Sequence, residues 1–153
     1  GIVPGVTSAM AAAAAAGETL TLPEVTQTLN FTRIAGRTPM PEGEALAALA
    51  AHGCSLCIYL SIDRIESVTA ALRAAGWSDA APMVVVEKAT WPGEERILRG
   101  TLANIAAQCR EAGIDRQAMI LASPALGARE RDTAAVSRLY DAGFAHGFRR
   151  PTA

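Results

Sequence analysis

The chain has 153 residues, half of them hydrophobic and only 5% aromatic, with a formal net charge of −1, which suits one domain or one half of a two-domain enzyme. The charges are scattered, so we expect no nucleic acid partner, because nucleic-acid affinity depends on a basic surface that neutralises phosphates. The longest stretch of low polarity, Ala9 to Ala16, is far shorter than the roughly 20 residues that span a bilayer, so we expect no membrane either.

The chain opens on a turn that leads into an alanine-rich helix. The opening has no initiator methionine, and we expect it to be the middle of a longer protein. Thr7 or Ser8 can cap the helix, which is predicted over about Thr7 to Ala16 and ends at Gly17, because glycine readily adopts the left-handed conformation that ends helices. Such a helix start can also contribute to a ligand site.

The segment from Gln27 to Ile34 alternates polar and apolar residues, which predicts a strand buried on one face. Leu29 and Phe31 would point inward, and Arg33 would share their face at the end of the strand. A loop with two prolines and two glycines follows at residues 36–43, and a short helix ending at Gly53 comes next.

The middle of the chain alternates buried strands with helices. Two mostly apolar runs, Cys54 to Leu60 and Met83 to Val86, indicate strands covered on both faces. Apolar residues at helical spacing predict a helix between them that closes at Gly76. Further along, the pattern predicts a strand at residues 96–100, a helix ending at Gly113 and a last strand at residues 118–122.

Repeated strand and helix units with short connections predict an α/β fold, an open mixed sheet of about five strands flanked by helices. The sheet should be mixed because the strands near Val86 and Arg96 are joined by too few residues for a crossover helix. In open α/β sheets, ligands bind outside the carboxyl ends of the strands. We therefore expect the site around Leu60-Ser61, Lys88-Ala89 and Ala122-Ser123.

The cysteines do not point to a metal site. A structural zinc site needs four ligands, and no second pair with metal spacing accompanies His52, Cys54 and Cys57. Three-residue spacing on a strand sends Cys54 and Cys57 to opposite faces, so we interpret both as core residues. Three cysteines cannot form a closed disulfide set and no signal-peptide pattern occurs, which predicts a cytoplasmic protein.

No recognised catalytic or phosphate-binding motif occurs in the sequence. A Walker loop and a G-x-G-x-x-G fingerprint are absent, which argues against nucleotide triphosphate chemistry. A G-x-S-x-G elbow is absent too, so a hydrolase is not indicated. No residue stands out as a general base.

Three further features allow more than one interpretation. Arg33 is either solvated or paired at the sheet rim, or binds substrate carboxylates, for which a guanidinium fork is suited. The segment at residues 91–93, Trp-Pro-Gly, predicts a tight turn. Exposed together, the rings near the carboxyl end would form an apolar patch, so we expect the tail to pack on the domain or on a second subunit. These residues are Tyr140, Phe144, His146 and Phe148.

Several segments, in their order and spacing, resemble the tetrapyrrole methylase family over essentially the whole chain. They are Val3-Pro4-Gly5-Val6-Thr7-Ser8, Ile58-Tyr59-Leu60, Val86-Glu87-Lys88-Ala89-Thr90-Trp91-Pro92 and Arg99-Gly100-Thr101-Leu102. Three others are most similar to the branch that methylates carbon 11 of precorrin-4 in cobalamin biosynthesis. These are Pro23-Glu24-Val25-Thr26-Gln27-Thr28, Gly36-Arg37-Thr38-Pro39 and Ser137-Arg138-Leu139-Tyr140-Asp141.

The resemblance implies a two-domain enzyme that binds S-adenosyl-L-methionine in the cleft between two α/β domains and methylates a ring carbon of precorrin-4. Residues 1–153 would be the C-terminal domain, inactive alone, of a protein that the family suggests is a homodimer. The family's cofactor contacts would map onto Thr7, Ser8, Leu60, Ala89 and Ser123, and Arg33 would be a candidate substrate contact. Relatives often carry methionine in place of Leu60 and a Val-Gly pair in place of residues 122–123.

These positions also agree with the chemistry of a sulfonium cofactor. Such a ligand needs a small-residue backbone against its adenine, an apolar wall and main-chain hydrogen bonds, which strand ends bearing Leu60 and Ala89 could supply. Positioning can provide much of the rate of methyl transfer without a covalent enzyme intermediate. The sequence leaves open whether the substrate carries cobalt.

Two other interpretations compete with the methyltransferase. One is a non-enzymatic binding or dimerisation module that keeps the fold without the chemistry. The other is a flavodoxin-like receiver or nucleotide domain, which the absence of an acidic or phosphate-binding turn disfavours.

Overall fold

The computed structural model describes residues 1–128. The predicted packing of the aromatic tail therefore lies outside the described residues. The helices are α1 (Ser8–Ala16), α2 (Leu46–Ala50), α3 (Ile65–Ala74), which follows a 3-10 turn at Ile62–Arg64, and α4 (Ile105–Glu111). The strands are β1 (Leu29–Arg33), β2 (Ser55–Tyr59), β3 (Pro82–Glu87), β4 (Arg96–Thr101) and β5 (Ala118–Ala122).

The five strands form one mixed sheet in the order β1-β2-β5-β3-β4. β1 and β2 are parallel, whereas β5 is antiparallel to both of its neighbours, β2 and β3. β3 and β4 form an antiparallel pair, as the short connection between them predicts. The open mixed α/β sheet of five strands expected from the sequence is confirmed.

Of the helices within residues 1–128, only α1 packs on one face of the sheet. The buried alanines Ala9, Ala12, Ala13 and Ala16 let this helix approach β3 and β5 closely. α1 ends at Gly17, whose φ of +65° lets its backbone N–H reach carbonyls in the last turn of the helix. Because α1 covers β5 and β3, it fixes the position of its own amino end beside the strand ends.

The opposite face of the sheet packs against α2, α3 and α4, where the larger apolar core lies. α3 buries Ile65, Val68 and Leu72 at helical spacing, as the sequence predicts. Among residues 1–128, no helix combines the length and the apolar character needed to cross a membrane.

Cys54 and Cys57 pack in the clusters on opposite faces of the sheet, which confirms the prediction from their spacing. Both thiols are buried and free, as is that of Cys109. Burial raises the pKa of the Cys57 thiol to about 12, because the thiolate would lose its hydration. These are core residues rather than reactive thiols.

Two local predictions are wrong. Phe31 does not point into the core but is 51% exposed, with its ring edge-on to Tyr59 at 5.9 Å between centroids. The reason is that β1 is an edge strand and α1 covers the middle of the sheet instead. β3 does not stop before Glu87 but includes it, because the buried carboxylate accepts a hydrogen bond from Arg96 Nε at 2.5 Å across the β3–β4 pair.

A candidate ligand crevice at the strand ends

The sheet order brings three chain segments together at one edge. β2 and β3 run in the same direction, and β5 lies antiparallel between them. The carboxyl ends of β2 and β3 therefore flank the amino end of β5. A cavity of about 470 Å³ opens here, within the range of about 300 to 1,000 Å³ of small-molecule sites.

The walls of this crevice are mainly apolar. Of the predicted site residues, Ser8, Leu60 and Ala89 line it together. The remaining residues that line it are Tyr59, Ile62, Asp63, Val86, Lys88, Trp91, Asp115, Arg116, Gln117, Ala118 and Met119.

Leu60 projects into the crevice because the chain turns sharply after β2. Its backbone φ is +49° and it is 85% exposed, which is unusual for a leucine. The next residue anchors the turn: the Ser61 hydroxyl donates to the Tyr59 carbonyl at 2.6 Å and accepts from the Ile34 N–H at 2.9 Å. The buried serine thus fixes the turn that carries the exposed leucine.

Ala89 follows a similar turn at the end of β3. Lys88 has a φ of +48°, and its backbone N–H donates to the Gln117 carbonyl at 2.8 Å. The Lys88 ammonium is held 2.5 Å from Glu94 and 5.5 Å from the centre of the Trp91 ring. The tight turn predicted at residues 91–93 is confirmed by the hydrogen bond from the Glu94 N–H to the Trp91 carbonyl at 3.1 Å.

The amino end of α1 forms another side of the crevice. Thr7 caps the helix, since its Oγ1 accepts a hydrogen bond from the Met10 N–H at 3.3 Å. Ser8 is the first helical residue and lines the crevice, whereas Thr7 does not. The structure thus gives Thr7 the capping role that the sequence indicates and places the Ser8 side of the helix next to the cavity.

The expectation that Ser123 joins this edge is wrong. β5 runs in the opposite direction from β2 and β3, so Ala122 pairs with Leu56 and Met83 near the start of those strands. Ser123 is fully buried at the far edge of the sheet, with its hydroxyl 2.5 Å from that of Ser55. It contributes to a structural hydroxyl pair rather than to the crevice.

The reversal of β5 brings the segment before β5, Asp115 to Gln117, into the crevice, and sequence reasoning missed these residues. The hydrophobic pattern predicts β5 correctly but does not contain its direction. The β3–β4 hairpin was a possible signal for the direction of β5. The hairpin reverses β4, and the crossover through α4 leaves β5 running in the same direction as β4 and opposite to β3.

Arg33 lies outside the crevice. Its guanidinium donates to the carbonyls of Thr38 at 3.2 Å and Pro39 at 2.8 Å, and so fastens the loop after β1. It also lines a separate depression beside Phe31. These contacts favour the structural alternative, and a role for Arg33 in substrate binding stays a prediction.

Three residues with left-handed backbone conformations meet at this edge. Leu60, Lys88 and Gln117 have φ values of +49°, +48° and +51°, and all three line the crevice. Each such conformation costs a non-glycine residue about 1 kcal/mol or more. Strained backbone of this kind clusters at ligand sites, because the turns that aim groups at a ligand are not the most relaxed ones.

The charges at the crevice are balanced. Asp63 and Asp115 are offset by Lys88 and Arg116. Arg116 donates to Asp115 at 2.8 Å and holds the pKa of that carboxyl below its ordinary value, so it stays ionised at neutral pH. Among residues 1–128, no cluster of three or more acidic, histidine or cysteine side chains could hold a metal ion. The crevice is suited to binding and orienting an organic ligand.

The chain is similar in sequence to curated methyltransferases. A protein curated as cobalt-precorrin-4 C(11)-methyltransferase from Priestia megaterium is 50% identical over 149 residues, covering 97% of this chain and 57% of that protein. The protein of the same name from Methanocaldococcus jannaschii is 42% identical, with 97% and 56% covered. The chain thus spans a little over half the length of these curated relatives.

Solved structures show the same fold. The X-ray structure of a cobalt precorrin-4 methyltransferase matches with a TM-score of 0.78 and 50% identity, over 80% of this chain and 51% of that one. A uroporphyrin-III C-methyl transferase from Thermus thermophilus, complexed with S-adenosylhomocysteine, matches with a TM-score of 0.63 and 22% identity, over 81% and 52%. At that identity, the second likeness shows the fold alone.

The family assignment comes from the sequence match. Residues 1–106 match the family described as Tetrapyrrole (Corrin/Porphyrin) Methylases, which is more than half of the chain and includes α1, β2 and the turn after β3. The chain belongs to the tetrapyrrole methylase family.

Proposed function

We propose that this chain is the C-terminal domain of a methyltransferase that transfers a methyl group from S-adenosyl-L-methionine to carbon 11 of a precorrin-4 in cobalamin biosynthesis. The observation that carries the proposal is the crevice itself, an apolar cavity that joins Ser8, Leu60 and Ala89, three of the residues expected to contact the cofactor. The identity to cobalt-precorrin-4 C(11)-methyltransferases over 97% of the chain supports the substrate.

The residues present fit this cofactor. Leu60, Ala89 and Trp91 offer apolar surface for a flat base, and turns at Leu60 and Lys88 bring backbone close to the cavity. When bound, S-adenosyl-L-methionine supplies a methyl group on a positively charged sulfur, which a nucleophilic ring carbon can displace directly. Asp63 and Asp115 also line the cavity, but Lys88 and Arg116 offset their charge, so binding depends on the apolar wall and the backbone groups.

The contribution of this chain to the reaction is to bind and orient. The buried Ser61 hydroxyl and the backbone bond from Lys88 to Gln117 hold two crevice turns in place without a ligand. A preformed wall of this kind lowers the entropy lost when two reactants are aligned. The crevice-lining side chains of residues 1–128 include no histidine or cysteine, and direct displacement of the methyl group needs no covalent intermediate with them.

Calorimetric titration with S-adenosylhomocysteine tests the proposal in the full protein to which this chain belongs. We expect the unmodified protein to bind and Leu60→Arg to lose at least 100-fold in affinity, because a charged side chain would replace the apolar wall. Val25→Arg is the matched control, since Val25 is a 46% exposed hydrophobic residue that does not line the crevice. Unchanged affinity in Leu60→Arg would contradict the assignment of the site.

A methyl-transfer assay with precorrin-4 and cobalt-precorrin-4 tests the reaction and determines which form is the substrate. Transfer to carbon 11 of either compound supports the proposal. Cofactor binding without transfer to either would favour the non-enzymatic module with the same fold.

We also propose that the full protein is a homodimer in the cytoplasm. The half-exposed Phe31 on the edge strand β1 and the three free cysteines are compatible with these two properties. Light scattering of the full protein at micromolar concentration would contradict the dimer if it gave the mass of a monomer.

A further inference from the structure

Gln117 lines the crevice at the amino end of its central strand, β5. It immediately precedes β5, the strand that lies between β2 and β3, so it stands between the turn of Leu60 and the turn of Lys88. Its backbone carbonyl accepts the Lys88 N–H at 2.8 Å, which ties it to the β3 side of the crevice. The side chain is exposed and lines the cavity.

The backbone does not explain why a glutamine stands here. With a φ of +51°, Gln117 has a conformation that glycine adopts without cost and asparagine more readily than most residues. The side-chain amide has no hydrogen-bond partner among residues 1–128. An unpaired amide on a strained backbone, facing a cavity, is explained if the amide contacts a ligand.

The charged groups around the crevice are already engaged with each other. Lys88 pairs with Glu94 at 2.5 Å and Arg116 with Asp115 at 2.8 Å. Gln117 is the one side-chain amide that lines the crevice within residues 1–128. Its amide presents two donors beside an acceptor, whereas the Ser8 and Tyr59 hydroxyls, which also line the crevice, each carry a single donor.

We infer that the Gln117 side chain recognises the hydrogen-bonding edge of the adenine base in the bound cofactor. A purine with a 6-amino group presents a donor beside ring-nitrogen acceptors, and a glutamine amide pairs with that pattern through two bonds. The apolar surface of Leu60 and Ala89 can contact the flat faces of the base, while the Gln117 amide contacts its edge. The inference rests on the proposed function, since it names the part of that cofactor which this residue contacts.

The test is a cycle of two proteins and two ligands, measured by calorimetric titration of the full protein. The ligands are S-adenosylhomocysteine and its analogue with hydrogen in place of the 6-amino group of the purine. Gln117→Ala removes the amide and leaves the backbone conformation no more strained. Gln27→Ala is the matched control, because Gln27 is an exposed glutamine that does not line the crevice.

We expect the unmodified protein and Gln27→Ala to bind S-adenosylhomocysteine about tenfold more tightly than the analogue, as one hydrogen bond would give. In Gln117→Ala, the two ligands should bind within about twofold of each other. In a second variant, Gln117→Glu, which accepts but does not donate, discrimination should persist while affinity for both ligands falls. A structural role alone would lower the affinity for both ligands equally and leave their ratio unchanged.

Full discrimination between the two ligands in Gln117→Ala would overturn this inference and leave the proposed function intact. An unmodified protein that binds neither ligand would overturn the proposed function and this inference with it. Equal melting temperatures of the variants and the unmodified protein establish that the changes in affinity come from the crevice and not from unfolding.

Discussion

Replacing Leu60 with glycine should stabilise the protein while it damages the crevice. A left-handed conformation costs a non-glycine residue about 1 to 2 kcal/mol, and glycine does not incur this cost. Because Leu60 is 85% exposed, little apolar contact is lost with its side chain. Glycine also increases the conformational entropy of the unfolded chain, and this cancels about 0.4 to 1 kcal/mol of the stability gained.

At the midpoints of these two ranges, the net gain in the free energy of unfolding is therefore about 0.8 kcal/mol. For a protein of this size, that corresponds to a rise in melting temperature of about 1 to 4 °C. Thermal unfolding followed by circular dichroism, without ligand, measures the shift. The affinity for S-adenosylhomocysteine should fall in the same variant, because the apolar wall is gone.

Two controls separate backbone strain from other effects. Leu60→Ala removes most of the side chain but keeps the left-handed cost, so its stability should stay within about 0.5 kcal/mol of the unmodified protein. Ala70→Gly, at an exposed position in α3, should lose about 1 kcal/mol because its backbone is helical. A Leu60→Gly protein less stable than Leu60→Ala would refute the argument from strain.

Three further predictions concern the framework behind the crevice. Gly100→Ala should lower the free energy of unfolding, measured with urea, by about 1 to 3 kcal/mol, because the new Cβ would overlap the Asn104 side chain. The same substitution in an Asn104→Ala protein should cost less. Glu18→Ala should lower the free energy of unfolding by about 2 kcal/mol and Glu18→Gln by less. The reason is that the buried Glu18 carboxylate accepts hydrogen bonds from Arg99 and from the Gly127 N–H, the latter at 2.8 Å. A loss under about 0.5 kcal/mol, which is the scatter of ordinary surface substitutions, would contradict this role. Above about pH 9, the Cys57 thiol releases its proton in the unfolded chain but not in the folded protein, where its pKa is raised to about 12. The free energy of unfolding should therefore fall with pH more steeply than in Cys57→Ala, by up to about 1.4 kcal/mol per pH unit. Equal pH dependence of stability in the two proteins would contradict the raised pKa.

The elements could be predicted because their signals are local. The apolar run at Cys54 to Leu60 indicates a strand buried on both faces, and the structure buries residues 54–58 of it between the two helical layers, whereas Leu60 is exposed. Gly17 ends α1 through a conformation that few other residues adopt cheaply. Signals of this kind depend on neighbouring residues and not on where the element lies in the sheet.

The errors concern properties that only the assembled sheet determines. Phe31 has the alternation of an inward residue, but its exposure depends on which strands α1 covers. Ser123 follows a buried strand just as Leu60 does, yet the antiparallel direction of β5 places it at the opposite edge. Strand direction is set by pairing between distant segments, which hydrophobic periodicity does not encode.

The same reversal explains why the sequence pointed to only part of the crevice. Leu60 and Ala89 follow strands that run toward this edge, so the rule that ligands bind at carboxyl ends finds them. Gln117 precedes its strand, and the rule considers only residues that follow a strand. A mixed sheet therefore contributes to its ligand edge from the amino end of each reversed strand.

A crystal structure of the full protein with S-adenosylhomocysteine tests the central claim most directly. We expect ligand density in the cavity between Leu60, Ala89 and Gln117, with the purine against the ends of β2 and β3. Density elsewhere would contradict the account, for example at the far edge of the sheet in the depression beside Trp77 and Pro124.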